Sequence, residues 1–225
     1  MSGVVVVGAG QAGSSCVARL RGKGYEGQIT LIGDEPVPPY QRPPLSKAYL
    51  LGDMPLDRLF LRPEAYYAEQ DITLRMGDPV TAIDAAAQTV TVGGDVIGYD
   101  DLVLATGSAP RRLPGAIGGD LDGVFCVRTL ADVDAMAPRF TDGAKVLIVG
   151  GGYIGLEAAA VAAKLNLNVT LVEAAPRILQ RVAAEQTSGY FRAAHAAHGV
   201  DLREGVGLVR LTGDGAVSAA ELNDG

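Results

Sequence analysis

Residues 4–13 read Val4-Val5-Val6-Val7-Gly8-Ala9-Gly10-Gln11-Ala12-Gly13, a short apolar run that leads into three glycines spaced G-x-G-x-x-G. The pattern returns at residues 146–155, which read Val146-Leu147-Ile148-Val149-Gly150-Gly151-Gly152-Tyr153-Ile154-Gly155. In this pattern the first glycine permits a tight turn, the second lets a pyrophosphate approach the backbone, and the third lets the next helix pack on the strand. Because each copy follows a predicted strand and opens a predicted helix, the sequence predicts two dinucleotide sites. The alternative is that the glycines serve only as turn residues.

The segments around the two glycine turns form an internal duplication. In the first copy we predict a strand over residues 3–7, a helix over 11–22 and a strand over 28–32. In the second copy the corresponding ranges are 145–149, 153–165 and 168–173. Residues 72–77 then match residues 200–205, and β-rich segments with turn signals follow each. Strands that alternate with helices in this way predict an α/β fold with parallel sheets and right-handed crossovers.

The two copies differ at their ends. In the first copy, residues 101–107 read as an apolar strand that returns to the parallel sheet, and the second copy has no counterpart before residue 225. We therefore expect a truncated protein or a fragment. A linker rich in proline and glycine over residues 108–120 separates the copies and predicts domains at 1–110 and 111–225.

Composition restricts the function classes. The chain has 225 residues, a formal net charge of −7 and 48% hydrophobic residues, so we expect an ordinary globular protein that does not bind nucleic acid. Cys16 and Cys126 stand far apart, and His195 and His198 lie near a predicted helix end, so no metal site is expected. No apolar run is long enough to span a membrane and no leader is recognised, which makes the cytoplasm the expected location.

Four further motifs support a resemblance to a known family. They are residues 40–50 (Tyr-Gln-Arg-Pro-Pro-Leu-Ser-Lys-Ala-Tyr-Leu), 32–35 (Ile-Gly-Asp-Glu), 105–107 (Ala-Thr-Gly) and 152–157 (Gly-Tyr-Ile-Gly-Leu-Glu). Over its whole length the chain resembles the FAD-dependent ferredoxin reductases, of the putidaredoxin, rhodocoxin and rubredoxin reductase type. These are glutathione-reductase-like pyridine nucleotide oxidoreductases. The resemblance implies two Rossmann-like three-layer (β-β-α) dinucleotide-binding units, incomplete at the C-terminus, with FAD in the first and NAD(P)H in the second.

The resemblance also implies the FAD site. The residues implied are Gly8, Gly10, Ala12, Gly13, Asp34, Glu35, Arg42, Lys47, Val80, Ala105, Thr106, Gly107 and Arg128. Asp34 lies about 20 residues beyond Gly13, where an acidic ribose partner is expected. Alignment of the two second strands, however, places Gly33 opposite Glu173, so Asp34 and Glu35 remain alternatives. The family's later Gly-Asp motif is not among these residues. We therefore expect the 225-residue chain alone to bind FAD weakly or not at all and to have little reductase activity.

In the second unit, the residues implied at NAD(H) are Gly150, Gly152, Tyr153, Ile154, Gly155, Glu157 and Glu173. A carboxylate at Glu173 can bond both ribose hydroxyls and would repel a 2′-phosphate, which favours NADH, while Arg177 would weaken that preference. Lys47 and Glu157 are the implied catalytic residues, with Glu157 pairing Lys47 beside the edge of the flavin where hydride arrives.

No CxxxxC pair occurs in residues 42–47, so a dithiol mechanism has no reactants. The resemblance implies instead an FAD-dependent NADH:ferredoxin reductase, which would pass a hydride to the flavin and single electrons to a ferredoxin or rubredoxin. Two alternatives stay open at this point. One is a non-catalytic dinucleotide-binding fragment, and the other is a related NADH oxidase or nitrite reductase flavoprotein.

Overall fold

The computed structural model describes residues 3–224. Its contacts divide the chain into two compact units. The first unit contains the residues up to Gln41 together with Pro55–Ala109. The second contains Arg42–Met54 together with the residues from Pro110 onward. The segment Arg42–Met54, called here the inserted segment, thus interrupts the first unit in sequence and packs with the second.

The first unit contains seven strands and two helices among the described residues. They are β1 (Val4–Val7), α1 (Gln11–Gly22), β2 (Ile29–Gly33), α2 (Glu64–Glu69), β3 (Ile72–Met76), β4 (Val80–Asp84), β5 (Thr89–Val92), β6 (Asp95–Gly98) and β7 (Asp101–Leu104). Strands β3, β2, β1 and β7 form a parallel sheet in that order, and β4, β5 and β6 form an antiparallel meander. The return of residues 101–104 to the sheet confirms that part of the fold prediction.

Period-two alternation along β1 explains the three layers of this unit. Val4 and Val6 pack towards Val17 of α1, whereas Val5 and Val7 pack with Val90 of the meander. Successive side chains of a strand point to opposite faces, so an unbroken valine run has an apolar side chain for both layers. The sheet is therefore covered on one face by helices and on the other by the meander.

The second unit repeats part of this plan, with a three-stranded parallel sheet and a two-stranded antiparallel pair. Its elements are α3 (Leu130–Met136), β8 (Lys145–Val149), α4 (Tyr153–Lys164), β9 (Asn168–Glu173), α5 (Glu185–Ala197), β10 (Asp201–Glu204), β11 (Leu208–Thr212) and β12 (Ala219–Leu222), with a 3-10 turn at Pro43–Ser46 of the inserted segment. Strands β10, β9 and β8 form a parallel sheet in that order, and β11 pairs with β12. Ala159 and Ala162 of α4 are fully buried, because small side chains let the helix lie close to the sheet.

The predicted helices and strands agree with the structure to within one or two residues at each end, except that the strand predicted over residues 101–107 ends at Leu104. Strand β2 extends one residue beyond the prediction because Gly33 still pairs with Met76 of β3. Within residues 3–224, no helix is both long and apolar enough to cross a lipid bilayer.

Candidate functional site

The first glycine turn (Gly8, Gly10 and Gly13, called the first cradle) joins β1 to α1. Gly8 has a φ of 113°, and a side chain there would overlap the Ala105 carbonyl oxygen. A side chain on Gly13 would overlap the Gly8 carbonyl oxygen. A Cβ on Gly10, in contrast, would meet no heavy atom within 4 Å. Two of the glycines are therefore required by the fold itself, whereas the third leaves open space in front of the helix.

The second glycine turn (Gly150, Gly152 and Gly155, called the second cradle) joins β8 to α4 in the same way. Gly150 has a φ of 111°, and a side chain on Gly155 would overlap the Gly150 carbonyl oxygen. A Cβ on Gly152 would again meet no atom within 4 Å. In each cradle, therefore, the fold requires the first and third glycines, whereas the middle glycine faces open space.

The helix ends at both cradles are suited to an anion. Helices α1 and α4 begin after glycine N-caps, with no side-chain cap and no acidic residue in the first turn. Helix α3, in contrast, is capped by Thr129 and Asp132, which satisfy each other's backbone N–H groups. Uncapped N–H groups and the positive end of the helix dipole favour a phosphate group. The residues present at each cradle therefore fit a dinucleotide pyrophosphate.

Glu173 ends β9 beside the second cradle, and its carboxylate is held by two backbone groups. Oε2 accepts a hydrogen bond of 2.7 Å from the Gly151 N–H, and Oε1 accepts one of 2.8 Å from the Ala175 N–H. These bonds fix the carboxylate next to the glycine turn and leave each oxygen able to accept a further hydrogen bond. The arrangement suits a residue that receives hydroxyl groups of a ribose.

The first unit has no carboxylate at the equivalent position. Gly33 ends β2 as Glu173 ends β9, and a Cβ there would lie 2.5 Å from Cβ of Ala9. Asp34, the next residue, is exposed, and Glu35 accepts a hydrogen bond of 2.6 Å from the Tyr40 hydroxyl. The roles of Asp34 and Glu35 at the ribose of FAD stay predictions.

Arg177 turns towards its own loop. Its guanidinium donates hydrogen bonds to the Ala183 carbonyl oxygen at 2.9 Å and to the Ser188 hydroxyl at 2.7 Å, with a longer bond of 3.3 Å to the Gln180 carbonyl. The sequence places Arg177 close to Glu173 but does not show this direction. In this conformation the guanidinium stabilises the loop that follows β9.

Sequence reasoning overlooked two residues that hold the same loop. Leu179 donates its N–H to the Gly151 carbonyl oxygen at 2.9 Å and has a φ of 55°, which is unusual for a leucine. Glu204 accepts the Ile178 N–H at 2.8 Å. Its position was detectable, because the repeat that aligns residues 72–77 with 200–205 puts it at the end of β10, beside Glu173.

Glu204 also pairs with Arg192 of α5 through two hydrogen bonds of 2.8 and 2.9 Å. Burial by itself would raise the pKa of Glu204, but the bonds from Arg192 and from the Ile178 N–H, with the charges of Arg192 and Arg177, bring the pKa below its usual value. Glu204 therefore stays ionised and anchors the loop beside the second cradle.

Lys47 and Glu157 form the ion pair that was expected between them. Lys47 Nζ lies 2.7 Å from Glu157 Oε2 and 3.0 Å from the Pro43 carbonyl oxygen. Ser46 donates its hydroxyl to the same Glu157 oxygen at 2.6 Å. The inserted segment thus brings two donors to the first turns of α4, close to the second cradle. Ser46 was not singled out from the sequence, although it directly precedes Lys47.

The remaining candidate residues are spread over both units. Arg42 donates to the carbonyl oxygen of Arg128 at 2.7 Å, so these two are neighbours in the second unit. Val80 begins β4, and the Ala105 N–H bonds the Val7 carbonyl oxygen at 2.7 Å. The other members of the set are Ala12, Thr106, Gly107, Tyr153 and Ile154, all of which are exposed. No ligand contact of any of these residues is established, and their binding roles stay predictions.

Comparison with known proteins shows which family and which relatives the chain resembles. Residues 2–225 match the family described as pyridine nucleotide-disulphide oxidoreductase. The chain is 46% identical to a ferredoxin–NAD(P)(+) reductase of Sphingomonas sp, over 98% of its own length and 54% of that protein. It is 43% identical to rhodocoxin reductase of Rhodococcus erythropolis, over 99% of its own length and 52% of that protein. The chain thus spans about half the length of these curated relatives.

A solved structure agrees with these matches. The structure of the covalent putidaredoxin reductase–putidaredoxin complex superposes with a TM-score of 0.96 at 41% identity, covering 100% of this chain and 55% of that chain. The resemblance to ferredoxin reductases that the sequence motifs indicated is confirmed. The chain belongs to the pyridine nucleotide-disulphide oxidoreductase family.

Proposed function

We propose that the protein carrying this chain is an FAD-dependent NADH:ferredoxin reductase. Its acceptor would be an iron–sulfur ferredoxin or a rubredoxin that serves an oxygenase or a cytochrome P450. The observation that carries the proposal is the pair of open cradles, each with an uncapped helix N-terminus and a glycine facing free space. The names of the relatives, which are reductases of ferredoxin and rhodocoxin, support the same activity.

The bound nucleotides would supply the redox chemistry, as hydride passes from NADH to the flavin and single electrons then pass to the acceptor. No side-chain acid, base or nucleophile is needed for the hydride step. The residues of the chain bind and align the two nucleotides and adjust the electrostatic field around them. A cytoplasmic location for this activity stays a prediction.

At the first cradle, α1 would direct its N-terminal N–H groups at the FAD pyrophosphate. Gly10 leaves the space that the phosphates require. The proposed FAD contacts also include Arg42 and Arg128, and the Arg42 guanidinium donates to the backbone carbonyl oxygen of Arg128. A fixed cation stabilises the negative charge that a reduced isoalloxazine acquires.

At the second cradle, Glu173 would select NADH over NADPH. Its carboxylate is fixed by the Gly151 and Ala175 N–H groups, so it cannot easily turn away from a 2′-phosphate. The guanidinium of Arg177 is engaged with Ala183 and Ser188 and would not offset this repulsion. We expect an NADH preference of about 100-fold in kcat/KM, since an uncompensated like charge at a binding site costs about 2–3 kcal/mol.

Lys47 would act as the cation beside the reacting edge of the flavin, with Glu157 holding its ammonium group in place. Their ion pair of 2.7 Å supports this role. A Lys47→Met substitution removes the charge while keeping most of the side-chain length. We expect the rate of flavin reduction by NADH to fall at least about tenfold, because preorganised charges at a reacting centre contribute on that scale or more.

The test is anaerobic stopped-flow reduction of the flavin-loaded protein by NADH, followed by mixing with a ferredoxin, a rubredoxin or oxygen. Lys145→Met is the matched control, because Lys145 is an exposed residue of the second unit at the start of β8. Rapid bleaching by NADH and fast reoxidation by an iron–sulfur protein or rubredoxin are the expected results. Absence of bleaching in the unaltered protein, or reoxidation by oxygen alone, would refute the proposed function.

A further inference from the structure

The inserted segment carries a buried hydroxyl group next to the Lys47–Glu157 ion pair. Ser46 is the last residue of the 3-10 turn Pro43–Ser46 and is only 5% exposed. Its Oγ donates to Glu157 Oε2 at 2.6 Å, the same oxygen that lies 2.7 Å from Lys47 Nζ. One carboxylate oxygen thus receives a buried neutral donor and a partly exposed cation.

The two donors differ in how firmly they are held. The side chain of Lys47 is 47% exposed and that of Glu157 is 31% exposed. A lysine has four rotatable bonds, and an ion pair at this exposure competes with water and loses side-chain entropy when it forms. Ser46 has a single rotatable bond and lies in a packed turn next to Leu45, which is also buried. The hydroxyl is therefore the better-ordered of the two partners of Glu157.

Other bonds fix the segment that carries Ser46. The Arg42 guanidinium donates to the Arg128 carbonyl oxygen at 2.7 Å, and the Tyr49 hydroxyl donates to Asp134 of α3 at 2.7 Å. Burial, together with the bond to Asp134 and its charge, raises the pKa of Tyr49 to about 12, so this hydroxyl keeps its proton. Bonds on both sides of Ser46 thus hold its backbone in the second unit.

We propose that Ser46 is a positioning residue for the Lys47–Glu157 pair. Its hydroxyl holds the Glu157 carboxylate in one orientation, and the carboxylate in turn holds the ammonium group of Lys47 at one place. Ser46 itself does not contact the reacting atoms. The inference rests on the proposed function, because the readout is reduction of the flavin by NADH.

The experiment measures the limiting rate constant of flavin reduction and the Kd for NADH in the flavin-loaded protein. Ser46→Ala is expected to lower the rate constant roughly fivefold and to change the Kd less than about twofold, since the loss lies in alignment and not in binding. Ser46→Thr, which keeps the hydroxyl, should restore most of the rate. Ser46→Cys, which is close in size but a weak donor, should resemble Ser46→Ala and covers the case in which alanine disturbs folding. Ser218→Ala, at an exposed serine of the same unit, is the control.

A double-mutant cycle separates positioning from a general packing effect. In a Lys47→Met background, Ser46→Ala should change the rate constant less than about twofold, because the group that it positions is already gone. A full fivefold loss in that background, or no loss in the native background, overturns the role of Ser46. If the unaltered protein is not bleached by NADH, the proposed function fails first, and the two failures are therefore distinguishable.

Discussion

Gly152→Ala separates the nucleotide-binding role of the second cradle from its role in the fold. Gly152 is the N-cap of α4, with φ −80° and ψ 179°, a conformation that alanine adopts without strain. Apart from Gly152 itself and its two chain neighbours, no heavy atom of the structure lies within 4 Å of the new methyl group. We therefore expect a loss of unfolding free energy of about 1 kcal/mol or less, the cost of replacing a favoured N-cap residue, glycine, by alanine.

The effect on NADH should be much larger. The methyl group would occupy the space through which a pyrophosphate approaches the N–H groups of α4. The loss of one or more hydrogen bonds to a charged group costs about 1.5–3 kcal/mol each, which corresponds to roughly 10- to 100-fold in Kd. Isothermal titration calorimetry with NADH gives the affinity, and urea unfolding without nucleotide gives the stability of the same sample.

Gly155→Ala is the matched control. Its Cβ would overlap the Gly150 carbonyl oxygen, a backbone atom that cannot move aside. We expect Gly155→Ala to lose about 1–3 kcal/mol or more of stability whether or not a nucleotide is present, as for an overpacked interior. Native NADH affinity in Gly152→Ala would refute the assignment of the second cradle, and so would equal destabilisation by both substitutions.

Three further predictions concern other parts of the chain. Gly10→Ala should lower the unfolding free energy of the protein by about 1 kcal/mol or less, because Gly10 is the N-cap of α1. It should reduce FAD affinity, measured by flavin titration, by about tenfold or more, because its Cβ would fill the open space of the first cradle. Arg177→Ala should lower the melting temperature but leave the Kd for NADPH within about twofold of its original value, because the Arg177 guanidinium bonds its own loop. A large loss of NADPH affinity would show instead that Arg177 binds the 2′-phosphate. Glu204→Gln should cost about 1–2 kcal/mol at neutral pH by weakening the pair with Arg192. The folded pKa of Glu204 lies below its usual 4.5, so this stabilisation is present above pH 4.5 and is lost as the pH falls through the folded pKa. Urea unfolding of Glu204→Gln and of the unaltered protein at several pH values measures this loss. A difference in unfolding free energy that persists at low pH would contradict the account.

The parts of the fold that the sequence predicted are those that local backbone physics determines. The valine run of β1 favours a strand, and the turn after it accepts only glycine at two positions, because Gly8 has a positive φ and Gly13 has no room for a side chain. The register of the repeats also predicted that Gly33 takes the position of Glu173. Both cradles and the strands around them could therefore be predicted, because local constraints on the backbone are strong there.

The features that sequence reasoning did not give depend on contacts between distant residues. Sequence spacing could not show that Arg177 turns towards Ser188, because the leucine at positive φ, Leu179, redirects the loop between them. It also could not assign the inserted segment to the second unit, since its partners, such as Asp134, lie more than eighty positions further along the chain. The ion pair between Lys47 and Glu157 was predicted only from the resemblance to the ferredoxin reductases, not from sequence spacing.

The inserted segment limits how the protein can be divided by genetic means. A fragment that starts at Pro110 would lack Lys47 and Ser46, and with them the side chains that neutralise and bond Glu157. A fragment that ends before Pro110 would carry the same peptide without the surface it packs on. Neither fragment therefore reproduces the contacts of the inserted segment in the undivided chain. A synthetic peptide of residues 42–54 could be added to the fragment that starts at Pro110 to restore those contacts.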